Sequence, residues 1–148
     1  MLPGYNLRPN EIFAKIGLIQ LKKLKKMIIQ RRKNLNLFNN LFSNSNLVKI
    51  FISEDYDSSF SFPMILKDQN SKLLQKIFDS LRMNKIQFRS ITGGNFNKHI
   101  YKKYFEYNVP EKLENANYFH NYGFFIGNSS FDLSSQLKKF HKILNNHK

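Results

Sequence analysis

The chain has 148 residues, a formal net charge of +14 and no cysteine. That length suits one domain with a real core, and 41% hydrophobic with 15% aromatic content excludes intrinsic disorder. Without cysteine, disulfides, Cys-ligated zinc and thiol catalysis are excluded and a reducing cytoplasm is compatible; no apolar run approaches the ~20 residues of a membrane span, and no signal-peptide pattern follows Met1.

Residues 1–9 read as an irregular lead-in with two prolines and a glycine. A helix is expected from Asn10, a good N-cap, with Glu11 at the positive helix end. Ile12, Phe13, Ile16, Ile19 and Leu24 recur at helical spacing, and Leu18, Leu21 and Ile28 widen the apolar face. Gly17 costs helix stability and is tolerated where another backbone packs closely. The pattern runs to about Phe42, long for a globular helix, so a bend or break is expected near Lys23–Lys26. Lys22, Lys23, Lys25, Lys26, Arg31, Arg32 and Lys33 form its wet face.

The basic excess raises a nucleic-acid reading. It is mostly lysine, with asparagine about as abundant, the composition toward which AT-rich coding DNA drifts. Arginine, suited to bidentate contacts with phosphate and guanine, is scarce. The charge therefore reads as solvated surface, with no nucleic-acid partner and no membrane span expected. The alternative is a basic nucleic-acid-binding module using residues 22–33 and the aromatic stretch 96–107. Steep salt-dependent binding to random DNA would mark it.

Residues 43–46 (SNSN) break the helix, and 48–52 (VKIFI) read as a strand followed by a polar loop. A second strand is expected over 60–66, where Pro63 suggests an edge or a bulge. A helix over 71–84 carries Leu73, Leu74, Ile77, Phe78 and Leu81 on one face. Residues 86–91 form a third strand, TGGN a turn, and 99–107 a short helix or extended aromatic segment. The next helix stops at Gly123, a plausible C′ residue, and 124–126 form a short strand. Asp132 or Ser134 caps a last helix bearing Leu137, Phe140, Ile143 and Leu144. The order predicts an α/β (α+β) fold: a long N-terminal helix, then a small, mostly antiparallel or mixed sheet with helices.

The four histidines (His99, His120, His141, His147) form no HExxH and no close metal triplet, and no P-loop or GxSxG occurs. Glu54, Asp55 and Asp57 read as solvated turn residues. Arg8 beside a Gly-Tyr-Asn turn and Arg89 at a strand end stand apart from the lysine background. A planar, permanently charged fork there suits a diphosphate or carboxylate, or an ordinary surface salt bridge. The glycines before Asn95 let backbone N–H groups approach an anion. In GFFIGN, Phe124 offers an aromatic wall and Asn128 a polar fixer, or the stretch is a plain strand and turn.

GYNLRPNEIFAKIGLIQLKKLKKMIIQRRKN resembles the segment leading into the C-terminal region of the DegT/DnrJ/StrS sugar-nucleotide aminotransferases. RSITGGNF and LENANYFHNYGFFIGNSSFDLS resemble one branch, which includes the 4-keto-6-deoxy-sugar 3-dehydratases of lipopolysaccharide and deoxysugar biosynthesis. The resemblance covers nearly the whole chain. It implies the C-terminal small domain of a fold-type-I transferase, with residues 1–46 as loop and linking helix and 47–148 as the small α/β domain. It implies pyridoxal or pyridoxamine phosphate as cofactor and a homodimer with a site at each subunit interface. The substrate would be a nucleotide-linked keto-deoxysugar, with glutamate as amino donor, in the cytoplasm. Asn6 would reach the neighbouring subunit's cofactor phosphate and Arg8 would lie beside it; Arg89, Asn95, Phe124 and Asn128 match positions near the nucleotide-sugar.

The family's cofactor-binding half is not in this sequence. It supplies the Schiff-base lysine (histidine in the dehydratases), the aspartate that pairs with the pyridine nitrogen, and most of the phosphate cup. The cofactor's chemistry needs those groups. The expectation is therefore a fragment, a split gene product or a frame truncated at an internal start, catalysing nothing alone. It has no catalytic residue and no metal site. A non-catalytic remnant that binds only as a subunit partner is the other alternative, supported by the apolar face of the first helix.

Overall fold

The computed structural model describes residues 10–52, 57–91, 93–109 and 112–147. Helix α1 spans Glu11–Phe42. The Asn10 side chain accepts the Ile12 N–H at 2.8 Å and caps it. The expected break at Lys23–Lys26 does not occur. That stretch holds neither proline nor glycine, and lysine and leucine are good helix formers, so nothing local interrupts the hydrogen bonding. Only the C-terminal part of α1 enters the core, through Asn34, Leu35, Phe38 and Phe42. Arg31 and Arg32 are half-buried there and leave the wet face to the exposed lysines. Ile12, Phe13, Ile16, Leu18, Ile19, Leu21 and Leu24 are exposed.

Strands β1 (Val48–Ile50), β2 (Ser61–Leu66), β3 (Phe88–Ser90) and β4 (Gly123–Gly127) form one sheet in the order β1-β2-β4-β3. Every pairing is antiparallel. Pro63 therefore sits in an interior strand, neither at an edge nor at a bulge. The alternation of the ladder turns its missing N–H toward β1, and β1 ends at Ile50, opposite Met64. No ladder bond is lost, which is the condition under which a strand tolerates proline.

Helices α2 (Ser71–Met83) and α4 (Ser134–Asn145) join the end of α1 over one face of the sheet. Asn70 caps α2, its side chain accepting the N–H groups of Lys72 and Leu73. The apolar residues expected on these helices supply the core: Leu74, Ile77, Leu81, Leu137, Phe140, Ile143 and Leu144 are buried. They meet Phe62, Met64, Leu66, Phe124 and Ile126 from the sheet. Each buried side chain of this kind contributes roughly 1.5–3 kcal/mol. Phe38 bridges the layers, 4.7 Å from Phe62 and 4.8 Å from Phe42 between ring centroids.

Helix α3 (Glu114–Tyr122) packs at the Gly123 end of the sheet, where Tyr118 donates to the Leu66 carbonyl at 2.7 Å. It runs directly into β4. Gly123 is not a left-handed C′ residue: its φ is −84° and its backbone is extended. Its lack of a side chain serves packing, since a Cβ would lie 2.5 Å from Ile91 and 2.6 Å from the Phe119 carbonyl. Among the described residues no helix is long and apolar enough to cross a membrane.

Candidate functional site

The Gly-Gly-Asn turn begins where β3 ends. Ile91 N–H donates to the Gly123 carbonyl at 3.1 Å, which fixes the strand end against β4. Gly94 then takes a φ of +49°, a left-handed conformation that favours glycine. A Cβ on Gly94 would stand 2.3 Å from His120 Nδ1, so the turn lies directly against the imidazole. Asn95 is buried and bonded at each polar group. Its N–H donates to His120 Nδ1 (3.1 Å), its Nδ2 donates to Asn117 Oδ1 (2.9 Å), and its Oδ1 accepts the Asn97 N–H (2.9 Å). Asn95 thus shapes the turn and pins it to α3. Beyond it, two short 3-10 segments, Phe96–Lys98 and Ile100–Tyr104, carry a strap of exposed aromatics. Phe96, Tyr101, Tyr104, Phe105 and Tyr107 are all exposed.

Arg89 is exposed on the sheet face opposite the core, in register with Phe125. There Phe60, Gln87, Phe88, Arg89, Phe125 and Gly127 line an open groove of about 370 Å³. The Phe60 and Phe125 rings meet edge to face, centroids 6.4 Å apart. Arg82 and Lys85 border Arg89 on a neighbouring groove, so the region joins an aromatic wall to three cations. Such a surface suits an anionic ligand with a ring system.

Phe124 is fully buried, edge-on to Phe78 in the core. The expected aromatic wall is formed by its neighbour Phe125, because successive strand residues face opposite sides and Phe124, paired with buried Met64 and two residues from buried Ile126, points inward. Asn128 is also buried, and its four hydrogen-bonding positions are used by the protein. Nδ2 donates to the carbonyls of Arg31 and Ser59, and Oδ1 accepts from Asn34 Nδ2 and the Ser129 N–H. This amide fastens α1 to both ends of the loop structure around β2 and β4, and it offers no vacant group to a ligand. Asn34 extends the fastening to the carbonyls of Ser129 and Phe131.

The candidates thus separate. Arg89 is available on the surface, Asn95 holds a turn, and Phe124 and Asn128 are internal. Asn95 is tied to α3, which enters β4 at Gly123, whereas Asn128 follows the other end of that strand. Asn6 and Arg8 lie outside the described residues, as do Glu54 and Asp55. The wet side of the sheet was hidden in the phase of the GFFIG alternation, and Phe60 and Phe125 were legible only once that phase was set. His120, Asn117 and Asn34 gave no local signal, because each acts on a segment distant in sequence. Among the described residues no three His, Cys, Asp or Glu side chains are grouped to hold a metal ion.

Comparison with known proteins places this geometry. The chain is 38% identical over 146 residues to GDP-4-keto-6-deoxy-D-mannose 3-dehydratase of Yersinia pseudotuberculosis, covering 97% of this chain and 37% of that protein. It is 30% identical over 127 residues to a lipopolysaccharide biosynthesis protein of Salmonella typhimurium, covering 84% of this chain and 29% of the other. A solved structure of E. coli GDP-4-keto-6-deoxy-D-mannose-3-dehydratase with bound hydrated PLP superimposes with a TM-score of 0.85 at 34% identity, over 97% of this chain and 37% of that one. The fold is therefore the one expected, a small α/β unit shared with PLP-dependent enzymes, and it spans about 37% of the length of the first relative. The model of the DegT/DnrJ/EryC1/StrS aminotransferases matches residues 1–129, and the chain belongs to that family.

Proposed function

We propose that this chain is the substrate-side portion of a PLP- or PMP-dependent enzyme acting on a nucleotide-linked 4-keto-6-deoxyhexose, with 3-dehydration favoured over transamination. One observation carries the proposal: 97% of the chain aligns at 38% identity with a GDP-4-keto-6-deoxy-D-mannose 3-dehydratase. The complete enzyme would be a cytoplasmic homodimer, with glutamate as amino donor. Asn6 would reach the neighbouring subunit's cofactor phosphate, and Arg8 would stand beside it on the substrate side.

The described residues do not fit the cofactor themselves. Every lysine among them is exposed, and none lies in an enclosed site where an imine could be protected from water. Anchoring the cofactor is therefore assigned to a part like the remaining length of the relatives. This chain contributes the substrate rim. Arg89 presents a permanent cation toward a diphosphate or sugar hydroxyls, and Asn95 keeps the turn after β3 in place. Phe60 and Phe125 give the apolar wall.

Titration of the purified chain with pyridoxal phosphate tests the division of labour. No stoichiometric imine absorbance band is expected. A band that disappears when one particular lysine is replaced would overturn it. The exposed apolar face of α1 fits the same reading, as the surface the cofactor part covers.

A further inference from the structure

We propose that His120 is a pH-sensitive latch: its neutral imidazole, protonated on Nε2, helps hold the Gly93–Asn95 turn and the aromatic strap of residues 96–109 against α3, and protonation of Nδ1 loosens them. The inference does not depend on which ligand the site takes.

The geometry dictates the tautomer. His120 Nδ1 accepts the Asn95 backbone N–H at 3.1 Å, and a backbone N–H is only ever a donor. A proton on Nδ1 would set two donors face to face, so the bond exists only while that nitrogen keeps its lone pair. The contact is also tight, since Gly94 leaves no room for a Cβ beside the ring. The turn therefore has little space to slide and find another acceptor.

His99 gives the opposite case within the same cluster. Its Nε2 faces the Gly93 carbonyl at 3.0 Å, and a carbonyl only accepts. That bond requires a proton on Nε2 and survives when the ring becomes charged. Of the two imidazoles, whose centroids are 6.2 Å apart, only His120 converts protonation into a lost contact.

The remaining attachments of this region are Asn95 to Asn117 and Lys98 to Asn121, both 2.9 Å. From the strap, His99 faces His120 and Lys98 reaches the adjacent Asn121; on α3 itself the acidic residue is Glu114, at the far end. No carboxylate among the described residues bonds to the cluster, so a charged His120 gains no acidic partner there. Among the described residues, no hydrogen bond or ring contact ties 100–109 to another element. Apart from the Lys98 tie to Asn121, the anchoring of the strap thus runs through the turn that His120 and Asn117 hold. Histidine is the side chain whose ordinary titration falls in the physiological range, which makes such a contact a switch.

The test is nuclear magnetic resonance on the isotope-labelled chain, from about pH 8 to about pH 5. At the upper end, the His120 ring nitrogens should report the Nε2–H tautomer. The Asn95 amide should shift with the midpoint measured for His120, and its exchange protection should fall about tenfold, the size of one net hydrogen bond. Amides of β2 and β4 should keep their protection, which separates the latch from acid unfolding. His120→Gln supplies an acceptor that does not titrate and should abolish the step. The proposal is overturned by an Nδ1–H tautomer, by a His120 titration that leaves the Asn95 amide unmoved, or by a step that persists in His120→Gln. If that variant does not fold, the tautomer and titration of the unaltered chain decide alone.

Discussion

Asn128 joins three segments through one amide, accepting from Asn34 and Ser129 and donating to the carbonyls of Arg31 and Ser59. Removing it strands buried polar groups, each costing about 1 kcal/mol or more. Asn128→Ala should lower unfolding stability by about 2–3 kcal/mol in a urea titration; a residue kept only for a ligand would leave the midpoint unchanged. Tyr118 offers a smaller case. Its hydroxyl donates to the Leu66 carbonyl, and burial raises its pKa. Tyr118→Phe should cost about 1 kcal/mol or less. Because the folded pKa lies above the unfolded one, this contribution is complete below the ordinary tyrosine pKa. It is lost as pH rises through the raised value. Alkaline denaturation of the two proteins should therefore converge. Legibility at this scale was uneven. Arg89 could be found from its place at a strand end beside two glycines, but the partner of Asn128, Asn34, is 94 positions away, beyond the reach of any local pattern.

Among the elements, α1 and α4 show what propensity and capping decide. A 32-residue helix is long for a globular domain, yet Lys23–Lys26 contains only good helix formers and the helix continues unbroken. Gly17 has no atom within 4 Å of where a Cβ would stand. In the isolated chain Gly17→Ala should raise helicity by circular dichroism and stabilise α1 by about 1 kcal/mol. If a cofactor-bearing part packs its backbone against Gly17, the same change should weaken that association, giving opposite signs in the two assays. At α4 the N-cap position falls on Leu133, which has no side-chain cap bond, and not on Asp132 or Ser134; Asp132 instead accepts the Ser134 N–H from one position earlier, and its pKa is lowered first by the Ser134 hydroxyl and then by that N–H. A lowered carboxylate pKa stabilises above its unfolded value, and the contribution disappears as pH falls through the folded one. Asp132→Ala should therefore destabilise at neutral pH and lose its effect in acid, as read by thermal melts across that range. The strands were legible as apolar runs, but their neighbours were not. The Pro63 strand can carry its proline in an interior position because β1 stops short of it, a fact of pairing and not of the strand's own composition.

At the scale of the molecule, one core unites the end of α1, the antiparallel sheet, α2 and α4, while the first half of α1 and the 96–109 strap carry their apolar residues to the surface. The helix stripes predicted that core well, since burial follows periodicity. Family membership was legible from the GYN, GGNF and GFFIGN stretches, though two of the residues that drew attention there, Phe124 and Asn128, proved internal. Motifs mark positions a fold needs, and the fold needs fasteners as well as ligand contacts. Asn6 and Arg8 belong to the proposed composite site, and they acquire a role only alongside a cofactor-holding part. The most direct measurement is a chimera in which this chain replaces the matching portion of the Yersinia dehydratase, assayed on GDP-4-keto-6-deoxy-D-mannose. Cofactor retention with loss of the C3 hydroxyl from the sugar is predicted; a folded, cofactor-loaded chimera that turns over no nucleotide-linked 4-keto-6-deoxy sugar would contradict the assignment.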